Sequence, residues 1–111
     1  MAEITYYRGD SYPIPFALEV ESTGVAVDIT GYSFTLTVNE ERDPAVTDAP
    51  EFAVVGSIVD ATAGEVSFTP TEANTDIDPG TYWYDVEMVD DSGNVRTIAK
   101  DKFIITMDIT K

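Results

Sequence analysis

Apolar and polar residues alternate with a period of two along most of the chain. Between Phe34 and Asn39, for example, every second residue is large and apolar, and the others are threonine or asparagine. This period places successive side chains on opposite faces of a β-strand, one buried and one half-solvated. Further segments that predict strands are residues 14–20, 52–59, 66–70, 82–89 and 95–109.

The same alternation predicts which side chains face the core. In segment 82–89 the inward set begins with Tyr82 and Tyr84, and Trp83 points outward between them. In the last segment we expect the inward residues to be Phe103, Ile105, Met107 and Ile109. The charged run at 100–102 interrupts that pattern and predicts a β-bulge there.

Turn and loop residues separate the predicted strands. Pro15 cannot donate to a ladder, so the first strand is expected at a sheet edge. Tight turns are predicted at 60–64 and 90–94, an exposed loop at 40–50, and one helical turn at 71–74 capped by Thr69 or Thr71. About seven short strands with regular turns favour one all-β domain over residues 1–111, an immunoglobulin-like sandwich of two antiparallel sheets.

The chain contains neither histidine nor cysteine. These absences exclude Ser-His-Asp and Cys-His catalysis, and they remove the usual ligands of zinc. A carboxylate pair could still hydrolyse glycosides, but that chemistry needs a cleft that so small a sandwich rarely provides. We therefore expect no enzymatic activity, no catalytic residues, no cofactor and no metal site.

The formal net charge is −15. At this charge the chain repels phosphate backbones and anionic lipids, so neither nucleic acid nor a membrane is an expected partner. A basic protein, divalent cations, or solubility at high local concentration all fit the charge. No signal peptide is expected, because residues 1–5 have no basic segment followed by an apolar one.

Residues 78–82 match the D-x-G-x-Y pattern of a tyrosine corner. In such a corner a tyrosine near the start of a strand hydrogen-bonds back to nearby backbone. We therefore predict that Asp78, Gly80 and Tyr82 form a structural corner, with Tyr84 filling the position of the second cysteine of antibody domains.

Four other aromatic residues are candidates for partner contact. Trp83 is predicted to point outward, and Tyr6, Tyr7 and Tyr12 are grouped with it although their positions are not fixed by the pattern. Outward aromatic side chains on a rigid sheet suit contact with protein or carbohydrate. The alternative is that Trp83 packs under the loop at 40–50 or against a neighbouring subunit.

Two further motifs have stronger structural than functional interpretations. Arg8-Gly9-Asp10 spells an integrin-recognition tripeptide, but it runs directly into the first strand and is expected to shape strand entry. Several aspartates have the oxygen ligands that calcium prefers, yet aspartate is also an ordinary turn residue, which is the interpretation we favour. They are Asp60, Asp76, Asp78, Asp90 and Asp91.

Four segments, taken in order, resemble the amino-terminal immunoglobulin-like domain of tailed-phage baseplate upper proteins and related virion proteins. They are GDSYPIPFALEV (9–20), VDITGYSFTLTV (27–38), VDATAGEVSFTPT (59–71) and DPGTYWYDVEMVDDSGNVRTI (78–98). The resemblance covers about residues 8–106 and rests on the order of its turns, because each turn alone recurs in many sandwiches.

The resemblance implies a non-enzymatic structural component of a virion, made in the host cytoplasm and present in many copies. Its partners would be other phage structural proteins, bound in part through edge strands near Tyr12 and Ile109. No coiled coil or receptor-binding region is present, which leaves baseplate, tail, neck and capsid surface open. The alternative is an exposed carbohydrate- or receptor-binding adhesion module.

Overall fold

The computed structural model describes residues 3–19, 23–42, 49–107 and 109. Over these residues the chain forms eight strands and one short helix. They are β1 (Ile4–Tyr7), β2 (Ile14–Ala17), β3 (Ser33–Asn39), β4 (Phe52–Val55), β5 (Ser57–Asp60), β6 (Glu65–Phe68), α1 (Glu72–Thr75), β7 (Gly80–Val89) and β8 (Val95–Thr106). No helix in these ranges has the length and apolar composition needed to cross a membrane.

The strands form two sheets that face each other. One has five strands in the order β1-β8-β7-β3-β4, and the other has three in the order β2-β6-β5. This order is that of an immunoglobulin-like sandwich, so the predicted fold class is confirmed. All neighbouring strands pair antiparallel except β1 and β8, which pair parallel.

Phe103 lies in the core between the sheets and is fully buried. Its ring lies 5.9 Å from that of Tyr6, 5.8 Å from that of Phe52 and 6.5 Å from that of Tyr84, measured between centroids. The Phe52 and Tyr84 rings meet Phe103 edge-on, an arrangement that adds to the gain from burying their surface. Tyr82 and Tyr84 both face inward, as the alternation predicts.

The predicted strand at 52–59 is two strands, one in each sheet. β4 pairs with β3 and β5 pairs with β6, and Gly56 joins them. A Cβ atom on Gly56 would come within 2.8 Å of both the Phe68 and Val66 side chains. The chain can therefore cross between the sheets there only because this residue has no side chain.

Strand β1 was not predicted from the sequence. It has four residues and pairs with β8 from Ile4↔Phe103 to Tyr7↔Thr106. Its position places β8 inside the sheet, so the free edge expected near Ile109 is wrong. The edge position expected for the first predicted strand is confirmed, because β2, which contains Pro15, ends the three-stranded sheet.

The carboxyl-terminal strand differs from its predicted pattern in two ways. The bulge lies at Ile98, where the register shifts between Val86 and Glu87 of β7, and residues 100–102 are regularly paired. Strand β8 ends at Thr106, so Met107 and Ile109 lie beyond the sheet and are exposed instead of inward.

The helical turn predicted at 71–74 is present as helix α1, and turns are present within 60–64 and 90–94 as predicted. Helix α1 begins after Thr71, whose hydroxyl accepts from the Asn74 N–H while the Asn74 side chain accepts from the Thr71 N–H. Thr71, not Thr69, is therefore the cap. Residues 43–48 of the predicted loop, and Val20 of the first predicted strand, lie outside the described residues.

Candidate functional site: the outer face around Trp83

The predicted corner lies at the start of β7. The Tyr82 ring is buried and its hydroxyl donates to the Asp78 carbonyl oxygen at 2.6 Å. Burial raises the pKa of the Tyr82 phenol, and the nearby carboxylates of Glu51 and Asp78 raise it further. Gly80 is the first residue of β7 and pairs with Ile105. These contacts fix the loop before β7 to the sheet, which is a structural role.

Trp83 lies on the outer face of the five-stranded sheet. It is half-buried and pairs with Asn39 of β3 on one side and Lys102 of β8 on the other. The Arg42 guanidinium carbon lies 5.7 Å from the ring centroid, and the Lys102 ammonium lies 5.8 Å from it. Both distances are within the range of cation–π attraction.

A shallow depression surrounds the indole. Lys100 stands opposite Asp85 across the β7–β8 pair. Burial raises the pKa of Asp85, the Glu87 carboxylate raises it further, and the positive charge of Lys100 partly offsets both. We call the following residues the Trp83 face: Thr37, Asn39, Glu41, Arg42, Trp83, Asp85, Lys100 and Lys102.

The Trp83 face combines one large aromatic ring with several basic side chains. Arg42, Lys100 and Lys102 are three of only six basic residues in a chain of net charge −15. An indole, a guanidinium and ammonium groups can stack on and hydrogen-bond to a partner, and tryptophan and arginine are enriched at interface centres. The alternation predicts that Trp83 points outward, but it gives no sign of the two cations that flank the ring, because they come from β8 and from the segment after β3.

Tyr6 is not a surface residue, contrary to its grouping with Trp83. It is 1% exposed, because β1 places alternate residues on opposite faces and Tyr6 faces the core. Its ring stacks on Tyr12 with centroids 4.1 Å apart, and its hydroxyl donates to the Tyr12 carbonyl oxygen at 2.7 Å. Tyr6 therefore fastens the crossing from β1 to β2.

Tyr7 and Tyr12 are exposed but do not join the Trp83 face. Tyr7 is 54% exposed at the end of β1, and β8 separates this strand from the strand of Trp83. Tyr12 is 43% exposed and lies just before β2, which belongs to the other sheet. The structure thus separates the four predicted contact residues into one core residue and three distinct surface positions.

The Arg8-Gly9-Asp10 tripeptide is held against helix α1. The Arg8 side chain forms an ion pair with Asp76 at 2.9 Å. The Gly9 N–H donates to the Thr75 carbonyl oxygen, and the Thr75 hydroxyl donates to the Asp10 carbonyl oxygen at 2.8 Å. These contacts connect β1 to α1, so the tripeptide shapes the entry to β2.

Two of the aspartates considered for calcium, Asp60 and Asp90, accept hydrogen bonds from the turns that follow them. The Asp90 carboxylate accepts from the backbone N–H groups of Ser92 and Asn94, and these bonds lower its pKa, with Asn94 contributing most. Asp60 accepts from the Thr62 hydroxyl and the Ala63 N–H in the same way. Within residues 3–19, 23–42, 49–107 and 109, no group of three or more acidic side chains could hold a metal ion.

Comparison with known proteins gives a likeness of fold. No family model matches the chain, and no curated protein sequence matches it. Among solved structures, the crystal structure of CopC from Methylosinus trichosporium OB3b is similar, with a TM-score of 0.54 and 10% sequence identity. The alignment covers 100% of this chain and 90% of that chain. At this identity the likeness shows a shared β fold alone.

Proposed function

We propose that the chain is a non-enzymatic structural module of a tailed-phage particle that acts by binding other structural proteins through the Trp83 face. The observation that carries this proposal is the position of Trp83, half-buried between Arg42 and Lys102 on the outer face of the five-stranded sheet. A rigid indole with little side-chain freedom to lose is suited to the centre of a protein contact.

The resemblance to baseplate upper proteins supports the choice of assembly. The matching segments include the turns around Gly64 and the corner at Tyr82, which set the connections between strands. In a particle the module would occur in many copies as a rigid adaptor or decoration in the virion. The net charge of −15 keeps free copies apart, whereas the cations beside Trp83 favour acidic or aromatic groups on the partner's contact surface.

The proposal assigns no catalytic residue. Around Trp83 the polar groups are those of threonine, asparagine, arginine, lysine, aspartate and glutamate. Asp85 faces Lys100, an arrangement that orients both side chains without providing an activated nucleophile. The face is therefore suited to binding rather than to chemistry.

Substitution of Trp83 tests the proposal. Trp83→Ala in the phage that encodes the chain should lower its amount per purified particle about tenfold or more, since truncating such a residue typically costs about 2 kcal/mol of binding. Trp83→Phe, which keeps an aromatic ring, should retain most of the incorporation. Val25→Ala, at another exposed apolar position, is the matched control. Equal incorporation of Trp83→Ala and Val25→Ala would overturn the assignment of this face.

A carbohydrate-binding adhesion module is the second candidate. Trp83 shares its depression with the side chains of Thr37, Asn39 and Asp85. An aromatic ring beside hydroxyl, amide and carboxylate groups can stack on a sugar and hydrogen-bond to its hydroxyls. Binding of the purified chain to a glycan array, lost in Trp83→Ala, would favour this candidate over assembly.

A further inference from the structure

Strand β4 forms one edge of the five-stranded sheet. Among the residues that the structure describes, it pairs only with β3. The Gly56 N–H donates to the Phe34 carbonyl oxygen at 2.8 Å. Because hydrogen-bonded positions alternate in an antiparallel pair, the backbone groups of Ala53 and Val55 point away from β3. They are the groups that an added strand would pair with.

The side chains of this edge are apolar and open. Val55 is 76% exposed on the outer face, and the segment from Phe52 to Val59 contains no charged residue and no proline. Natural edge strands usually carry a proline, a charge or a bulge that blocks pairing. Here β2 contains Pro15 and β5 has a bulge, whereas β4 is regularly paired and has neither.

The negative charge at the start of β4 determines which kind of strand can pair with its free edge. Glu40, Glu41 and Glu51 line one depression at the start of β4. A second copy of the chain would bring a further charge of −15 toward these carboxylates, which disfavours pairing between copies. A segment with lysine or arginine beside Glu51 would instead be attracted.

We propose that β4 is a strand-addition site for an extended segment of another protein, with β-branched residues to pack against Val55 and a basic residue to face Glu51. This inference rests on the proposed function and names the chemistry of the partner. Main-chain hydrogen bonds hold such a segment, and its alternate side chains give specificity. The added strand extends the sheet whose outer face carries Trp83, so one partner reaches both surfaces.

A capped peptide of alternating threonine and valine, ending in two lysines, is the probe. In antiparallel pairing its carboxyl-terminal lysines lie beside Glu51. Titrated into the ¹⁵N-labelled chain, it should shift the amide signals of Ala53 and Val55 and slow their hydrogen exchange. Val55→Lys should weaken binding about tenfold, as expected from losing one buried valine contact and adding a like charge. Val95→Lys, the same change at another exposed valine, should leave it unchanged.

Several results would overturn the inference. They are no binding at about 1 mM peptide, equal binding of a peptide ending in two glutamates, or signal changes confined to other strands. Self-association of the free chain that Val55→Lys abolishes would show that a second copy is the occupant. Failure of peptide binding together with normal amounts of the chain in particles would reject this site alone and leave the proposed function standing.

Discussion

Tyrosine hydroxyl groups hold the irregular parts of this small sandwich in place. The Tyr82 hydroxyl donates a hydrogen bond to the Asp78 carbonyl oxygen in the loop before β7. The Tyr6 hydroxyl donates one to the Tyr12 carbonyl oxygen in the connection between β1 and β2. The first bond could be predicted because D-x-G-x-Y is a local pattern. The second could not, because Tyr6 becomes a core residue only through pairing of β1 with β8, about 100 positions along the sequence.

Removing the Tyr82 hydroxyl should destabilise the fold without changing it. Tyr82→Phe leaves the Asp78 carbonyl without its 2.6 Å donor, and loss of such a bond costs about 1–3 kcal/mol. We expect a lower midpoint of urea unfolding with an unchanged circular dichroism spectrum. Tyr7→Phe removes a hydroxyl from an exposed ring and should change stability by less than about 0.5 kcal/mol. Equal stability of the two variants would disprove the corner.

Because the phenol of Tyr84 is buried, we expect the fold to lose stability at alkaline pH. Burial raises the pKa of its phenol to about 12, with the Asp101 carboxylate contributing. In the unfolded chain the phenol ionises near its ordinary pKa of about 10, so the stabilising effect of the neutral folded form is complete below pH 10 and is lost as pH rises from about 10 to 12.

Chemical unfolding should be measured between about pH 10 and 12. Over this range the free energy of unfolding should fall less steeply with pH for Tyr84→Phe than for the native chain. The difference is expected to reach about 2–3 kcal/mol, the linkage equivalent of a shift of about two pKa units. Parallel declines for the two proteins would contradict a buried, neutral Tyr84.

At the scale of elements, alternation identifies strands but not their partners. The apolar residues 52, 54 and 58 fit one continuous alternation, so the pattern gives no sign that the chain changes sheets between them. Gly56 is the one local signal of the crossing.

The β-bulge at Ile98 has a larger effect on the surface of the molecule. Counting from the Val89↔Val95 pair, an unbulged hairpin would set Trp83 opposite Asp101, whereas the bulge sets it opposite Lys102. One extra residue thus places Lys102, one of the two cations over the indole, beside Trp83.

Gly56→Ala tests the crossing between the sheets. The added methyl group would lie within 2.8 Å of the Phe68 and Val66 side chains, both of which are buried. Forcing such a group into a packed core typically costs about 1–3 kcal/mol. Thermal unfolding should show this loss for Gly56→Ala and no comparable loss for Ser57→Ala at the neighbouring exposed position. If Gly56→Ala were as stable as the native chain, the crossing between the sheets would not require a residue without a side chain.

At the scale of the whole molecule, the fold class follows from the sequence and the surfaces do not. Inward and outward residues are local properties of each strand, so most of the core could be predicted. The Trp83 face instead combines residues of β3, β7, β8 and the segment after β3. Its existence depends on sheet order and register, which come from long-range pairing. The same holds for the open edge at β4, because a strand's place in the sheet is not encoded within it.

The function proposed for the chain is assembly, as a repeated part of a phage particle. Quantitative mass spectrometry of purified particles tests it most directly. We expect the polypeptide at a fixed number of copies relative to the major tail or capsid protein, after washing that removes loosely bound proteins. Absence from the particles, with the polypeptide found only free in host cytoplasm, would contradict it.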